Sequence, residues 1–201
     1  MPMPTAPFGV ARWGLAAVLL LSPGSMPRAA QAESSAPPAS SPAAPGLRSE
    51  VASLLARPEA FPPFERDWKP LGPGALGVLE ELAANPRTPS PQRARAVTSM
   101  AAVDHPQASE RLRSLMRDSR AQPTLRASAA TALGLRVGTE AVSTLLPLLE
   151  DRDEDVRAAV ARALGRLGGT QVQQALEERL PLEEDPLVRE AIQQGLTFVE
   201  P

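Results

Sequence analysis

The chain has 201 residues, of which 23 are acidic and 21 basic, and it contains one histidine and no cysteine. The lack of cysteine excludes disulfides, cysteine nucleophiles and a lipid-modified cysteine, and a single histidine excludes a metal centre built on several histidines. The formal net charge of −2 provides no general attraction to phosphate backbones, so we expect no nucleic-acid partner.

Residues 1–32 have the organisation of a secretory signal peptide. Arg12 supplies a positive charge, residues 13–21 form an apolar segment, and Ala30-Gln31-Ala32 is a small-residue cleavage site. The apolar segment is too short to cross a hydrocarbon core of about 30 Å. We therefore expect a periplasmic or secreted protein with no stable membrane insertion after signal cleavage; the alternative is an uncleaved anchor.

Two further segments precede the main domain. Residues 33–46 are rich in Ser, Ala and Pro and predict an extended linker. In residues 47–73, a short helix over 47–56 places Val51, Leu54 and Leu55 on one face, and aromatic side chains follow at Phe61, Phe64 and Trp68. We interpret residues 47–73 as a capping segment that covers the apolar side of the next element; an aromatic hot spot for a partner is the alternative.

A dipeptide ending in arginine recurs every 31 to 33 residues and opens an alanine-rich helix each time. The four copies are Gln92-Arg93, Leu125-Arg126, Val156-Arg157 and Val188-Arg189. Self-similarity at this period predicts a stack of helical hairpins, because one hairpin cannot bury its own apolar faces. The predicted units are residues 74–104, 105–138, 139–168 and 170–198.

The third unit shows the pattern of a hairpin most clearly. Its first helix, over 141–150, carries apolar residues at Val142, Leu145, Leu146 and Leu149, with the i, i+3, i+4, i+7 spacing of one helix face. Asp153 is placed to cap a second helix over 156–167, and Gly168-Gly169 can end that helix in a left-handed conformation.

Residues 145–168, from Leu145-Leu146-Pro147 through Val156-Arg157 to Leu167-Gly168, resemble a HEAT repeat of the short type similar to the repeats of phycobilisome lyases. The resemblance extends over residues 74–198. It implies an all-α fold, a right-handed α-solenoid of about four HEAT-like helical hairpins.

The resemblance also implies a polar ladder between units, in which an acidic residue of the turn meets an arginine early in the second helix. The matching positions are Asp151 with Arg157 and Glu183 with Arg189, whereas Asn85 with Arg93 and Asp118 with Arg126 are two residues further apart. Anion capture by these arginines is the alternative to a structural role.

The titratable residues predict no catalytic, metal or cofactor site. His105 precedes Pro106 at a helix start and is interpreted as a solvated loop residue. Adjacent carboxylates such as Glu80-Glu81 point in different directions on a helix, which makes them poor acid/base partners. The turn Glu183-Glu184-Asp185 leaves a weak calcium site as an alternative.

In the HEAT family the second helices line the concave side, so their exposed positions predict a partner-binding stripe. The stripe comprises Thr98, Ala102, Thr131, Leu135, Arg162, Arg166, Glu190, Gln194 and Phe198. This composition is typical of a protein-binding groove with arginine anchors, although a plain solvated face has it too.

Residues 87–126 carry a charge of +5 and residues 140–201 a charge of −7, an asymmetry that can orient a partner.

The sequence therefore predicts an exported, non-catalytic scaffold or adaptor that binds a protein partner of unknown identity. The alternative is a lyase-like or enzyme-accessory protein that holds a chromophore or small ligand in the concave groove. Recognition of DNA lesions by HEAT-like helices conflicts with export and with the acidic C-terminal half.

Overall fold

The structure is a computed structural model that describes residues 45–57 and 65–199. None of these residues lies in a β-strand, and the predicted all-α fold is confirmed. The predicted signal peptide, all but the last two residues of the predicted linker, and the aromatic positions Phe61 and Phe64 lie outside the described residues.

The helices follow one another in antiparallel pairs joined by short turns. Their bounds are α1 Pro45–Ala56, α2 Glu65–Trp68, α3 Ala75–Ala84, α4 Ser90–Ser99, α5 Ala108–Arg117, α6 Pro123–Val137, α7 Val142–Leu145, α8 Glu154–Leu167, α9 Thr170–Arg179 and α10 Pro186–Val199. Short 3-10 segments extend them at Lys69–Leu71, Met100–Ala102, Gly138–Ala141, Leu146–Glu150 and Leu180–Leu182.

The second helices of the four hairpins form one continuous layer. Helix α6 packs against α4 and α8, and α10 packs against α8, while each second helix also contacts the first helix of its own hairpin. The hairpins are therefore consecutive neighbours, as a HEAT-like solenoid requires. The buried core runs from Val51 in α1 to Ile192 in α10 without a break.

Small residues allow the second helices to approach closely. The tightest place is the crossing of α8 and α10, where Gly165 faces Gly195 and a Cβ on Gly165 would lie 2.3 Å from the Gly195 Cα. Both glycines are buried. The lack of a side chain is needed here for the close approach of two backbones.

The first helix of the third hairpin differs from the sequence prediction. Instead of one helix over 141–150, the chain forms the single α-turn α7 between two 3-10 segments. Pro147 accounts for the break, since its ring removes a backbone donor and crowds the preceding turn. Leu145 and Leu149 still reach the core. The second helix agrees with the prediction: Asp153 accepts a bond from the Val156 amide at 3.3 Å and caps α8.

Helix α1 lies against α3 and α4 and buries Val51, Leu54 and Leu55, the three residues placed on one face by the sequence pattern. The indole of Trp68 is buried as well. Helix α1 thus covers apolar surface of both helices of the first hairpin. The domain boundaries derived from the sequence stay a prediction, and α1 begins at Pro45, two residues inside the predicted linker.

Residues 123–150 are long and apolar enough to span a membrane by those two criteria alone. This stretch is not one straight helix, because Gly138 has a φ of 58° and turns the chain between α6 and α7. Leu133 and Leu145, from the two parts of the stretch, are both fully buried in the core. Much of its apolar character is thus explained by packing between neighbouring hairpins.

Candidate partner-binding surface

Buried ion pairs connect successive hairpins along one edge of the stack. Arg126 donates two hydrogen bonds to the carboxylate of Asp151, at 2.7 and 2.8 Å. Arg157 does the same to Glu183, at 2.9 Å for both bonds, and Arg179 adds a third bond of 2.7 Å to Glu183. Arg126 and Arg157 therefore each bind the carboxylate in the turn of the following hairpin.

Asp151 and Glu183 do bind arginines, as the resemblance implies, but the pairing itself is wrong. Each carboxylate binds the arginine of the preceding hairpin and not the arginine of its own hairpin. Arg157 and Arg189 contact the turn of their own hairpin through main-chain oxygens, those of Asp151 at 2.9 Å and Glu183 at 3.0 Å. The carboxylates of these turns point to the preceding arginines instead. A guanidinium has five donors, so Arg157 can join two turns at once.

The ladder controls the ionisation of its carboxylates. Burial opposes ionisation of Glu183, but hydrogen bonds and charge from Arg157 outweigh it, and the pKa falls to about 2. The pKa of Asp151 is also lowered: burial raises it, but the hydrogen bonds from Arg126 and the Asp153 amide, together with the charges of Arg126 and Arg152, outweigh burial. Because Glu183 already accepts bonds from two arginines, its oxygens are engaged in the ladder, which argues against the calcium alternative for this turn.

Among the described residues, Arg93, the ladder arginine of the first hairpin, has no carboxylate partner. Arg93 donates to the main-chain oxygen of Ala83 at 2.7 Å and to the amide oxygen of Gln122 at 3.0 Å. The matched positions Asn85 and Asp118 accept backbone amides within their own turns, at 2.9 Å each, and do not reach the arginines as hydrogen-bond partners. Sequence reasoning missed Gln122 because a neutral side chain does not suggest an ion-pair ladder.

The predicted stripe is only partly an exposed surface. Thr98 is buried and donates its hydroxyl to Ala94 O, so its placement on an exposed face is wrong: α4 is enclosed by α1, α3 and α6. Thr131 is half-buried and bonded to Ala127 O. The other predicted positions are accessible in varying degree: Ala102, Leu135, Arg162, Arg166, Glu190, Gln194 and Phe198.

Six of the nine stripe residues line two separate clefts, and Thr131, Arg166 and Phe198 line neither of them. A cleft of about 580 Å³ is lined by Thr98, Ala102 and Leu135 near the ends of α4 and α6. A smaller cleft of about 150 Å³ lies between α8 and α10 and is lined by Arg162, Glu190 and Gln194, and also by Leu187 and by the carboxylates of Glu154 and Asp155 at the start of α8. Sequence reasoning missed Leu187, although its spacing of three and seven residues from Glu190 and Gln194 places it on the same face.

We define the arginine face as Arg162 and Arg166 of α8 together with Leu187, Glu190 and Gln194 of α10. Both arginines are exposed, and neither forms an ion pair within the described part of the chain. Partial burial and the neighbouring charge of Arg162 lower the pKa of Arg166. On α10, Gln194 donates to Glu190 at 3.0 Å.

His105 lies in the loop before α5, as the sequence predicts, but it is half-buried and hydrogen-bonded rather than fully solvated. Its Nδ1 accepts the backbone amide of Gln107 at 3.1 Å, and its main-chain oxygen accepts a bond from Arg136 at 2.9 Å. Arg136 also binds the carbonyls of Ala101 and Val103 and the hydroxyl of Ser109. Together these contacts fix the turn between the first two hairpins.

In the described ranges, no three His, Asp or Glu side chains are grouped so as to hold a metal ion.

Comparisons with known proteins agree with this architecture. Residues 119–197 match the family described as HEAT repeats. The fold is similar to a chain in the complex of CpcE and CpcF of phycocyanin lyase from Nostoc sp. PCC7120, with a TM-score of 0.51 and 18% sequence identity over 75% of this chain and 97% of that one. At this identity the similarity concerns the fold alone. A search of curated proteins finds no match.

Proposed function

Because residues 119–197 are HEAT repeats, we propose that this protein is a non-catalytic scaffold or adaptor that binds an acidic segment of a protein partner on its arginine face. The observation that carries the proposal is the pair Arg162 and Arg166. These two guanidinium groups are exposed, lie one helical turn apart, and lack a carboxylate partner in the described residues.

The pair stands out because carboxylates are abundant around it. Residues 140–201 contain thirteen acidic side chains against six arginines, and the half-buried arginines Arg157 and Arg179 are both ion-paired. Two like charges at i, i+4 destabilise a helix by about 0.2–0.5 kcal/mol. The repulsion between Arg162 and Arg166 works against folding, and an incoming carboxylate would relieve it.

Apolar groups beside the arginines provide the rest of a binding surface. Leu187 on the arginine face is 63% exposed, and Phe198, further along α10, is 68% exposed. Arginine and aromatic side chains are enriched among the residues that dominate binding energies, and an apolar neighbourhood strengthens an ion pair by excluding water. The expected partner segment is acidic with an apolar residue near the charges.

The experiment is a selection of peptides from a displayed random library. Wild-type protein should enrich peptides rich in Asp and Glu, and Arg162→Glu with Arg166→Glu should weaken their binding at least tenfold, roughly 1.4 kcal/mol. The matched control is Arg113→Glu with Arg117→Glu, which makes the same charge change at the same spacing on α5. Equal binding by the α8 double variant, or equal loss in the α5 control, would reject the arginine face.

A second candidate function is a lyase-like or accessory protein that holds a chromophore or small ligand. Its support is the fold shared with a protein of the phycocyanin lyase complex and the cleft of about 580 Å³ beside Leu135, a volume that fits a small ligand. Visible absorbance of the purified protein separates the candidates. A co-purifying pigment would favour the ligand-holding function and contradict the scaffold.

We also propose that the protein acts outside the cytoplasm, in the periplasm or after secretion. The proposal depends on the signal-peptide pattern of residues 1–32. Mass spectrometry of the protein from fractionated cells tests it. Export predicts a mature N-terminus just after Ala32 in the periplasmic or secreted fraction, and a full-length chain in the cytosol would contradict it.

A further inference from the structure

The ladder arginines of the first three hairpins, Arg93, Arg126 and Arg157, differ in the acceptor that they bind. Arg126 and Arg157 each bind a carboxylate with two parallel hydrogen bonds. Arg93 occupies the same position in the first hairpin, but the one side-chain acceptor to which it donates is the amide oxygen of Gln122. Its guanidinium is half-buried and has no carboxylate partner among residues 45–57 and 65–199.

A cavity of about 440 Å³ opens beside Arg93, between the first and second hairpins. Its apolar wall includes Met100, Leu115 and Leu125. Its polar wall includes Arg93 and two further arginines, Arg111 and Arg120. Cavities of this volume, with apolar walls and a few convergent polar groups, are typical of small-ligand sites.

The two carboxylates that line the cavity are already engaged. Glu80 forms an ion pair with Arg111, with the Oε1 of Glu80 3.3 Å from the Nε of Arg111. Asp118 accepts the backbone amide of Arg120 at 2.9 Å. Three guanidinium groups therefore face two carboxylates, and the cavity retains one positive charge in excess. Arg93 is the half-buried cation whose acceptors are both neutral, whereas Arg111 is ion-paired and Arg120 is exposed to solvent.

We propose that this cavity binds a carboxylate carried on a short apolar group. The carboxylate would lie against Arg93 as Asp151 lies against Arg126, and the apolar group would lie on Leu115 and Leu125. Gln122 is exposed, so its amide can leave Arg93 at little cost in packing. The ligand thus supplies Arg93 with the carboxylate partner that Arg126 and Arg157 have within the chain. Two sources share this chemistry: a free short-chain acid and the C-terminal leucine of a peptide.

The test uses octanoate and N-acetyl-Ala-Leu as probes and octan-1-ol as a neutral control, with binding measured by calorimetry on the full-length protein. Wild-type protein should bind a carboxylate probe and bind octanol at least tenfold more weakly, because only the carboxylate makes charge-assisted bonds to Arg93. Tighter binding of octanoate than of the peptide identifies a free acid as the ligand class, and the reverse order identifies a peptide C-terminus.

Gln122→Glu is the decisive variant, since it supplies the missing carboxylate from within the chain. It should weaken probe binding at least tenfold while its melting temperature equals or exceeds that of the wild type, which shows that the loss is not a loss of fold. Gln122→Ala should retain binding. Gln171→Glu makes the same change at an exposed position on α9 and should retain it too.

Three results would overturn the proposal. Octanol binding as tightly as octanoate would show that the carboxylate is not recognised. Unchanged affinity in Gln122→Glu would show that the probe lies away from Arg93. Absence of saturable binding for both carboxylate probes would show that the cavity is not a site for this chemistry. Each result leaves the function proposed for the arginine face unaffected, because that face lies on α8 and α10.

Discussion

Replacement of Glu183 by Gln tests the ladder at its most connected point. The carboxylate accepts two bonds from Arg157 and one from Arg179, and the residue is only 3% exposed. Glutamine keeps the shape of the side chain but removes the negative charge. The variant therefore leaves two poorly exposed guanidinium groups facing a neutral amide that can accept on one atom alone.

The lowered pKa of Glu183 sets the magnitude. A fall from 4.5 to about 2 corresponds to about 3 kcal/mol in favour of the ionised carboxylate in the folded protein. Because the folded pKa lies below the unfolded value, this stabilisation is fully present above about pH 4.5 and is lost as the pH falls through about 2. We expect Glu183→Gln to lower the free energy of unfolding by about 3 kcal/mol at pH 7, and the melting temperature by about 6–12 °C.

The assay is urea denaturation of wild type and variant at several pH values between 7 and 2. The difference between the two free energies of unfolding should be largest at pH 7 and shrink as the pH approaches 2, because Glu183 then becomes neutral in the wild type as well. Glu184→Gln, at an exposed neighbour, is the matched control and should change stability little. A Glu183→Gln difference that does not vary with pH, or an equal effect at Glu184, would refute the reasoning.

Further predictions concern packing and helix ends, and all are measured by thermal or chemical denaturation. Gly165→Ala should lower the free energy of unfolding by about 3 kcal/mol or more, because the added Cβ would meet the Gly195 backbone. Gly77→Ala is the contrasting variant: no atom lies within 4 Å of the added Cβ, so it should stabilise α3 by about 0.5–1 kcal/mol. Val160→Asp should unfold the domain by burying an unpaired carboxylate, and a wild-type melting curve would show that the helix phase is wrong. Asp153→Ala should cost about 1 kcal/mol through loss of the α8 cap, and no change would contradict that role.

The repeat period and the helix faces were predictable from the sequence. Of the four residues placed on the apolar face of the first helix in the third hairpin, Leu145 and Leu149 are buried and Val142 and Leu146 are half-buried. The 3.6-residue periodicity of an amphipathic helix is a local property of the chain. The cap at Asp153 and the left-handed glycines after α8 were predictable for the same reason. Each depends on residues that are close in sequence.

What the sequence left undetermined depends on contacts between hairpins. The register of the ladder could not be read from spacing, because Arg157 is six residues from Asp151 but its carboxylate partner is Glu183, 26 residues away. The burial of Thr98 follows from the helices that surround α4, and the role of Gln122 follows from the position of Arg93 across the stack. None of these relations has a local sequence signature.

The measurement that tests the central claim most directly is NMR chemical-shift mapping with an acidic peptide selected by the wild-type protein. If the arginine face is the partner-binding surface, the largest shifts will occur at Arg162 and Arg166 of α8 and at Gln194 of α10, and added salt will reduce them. Shifts confined to the first helices α3, α5 and α9 would contradict the account.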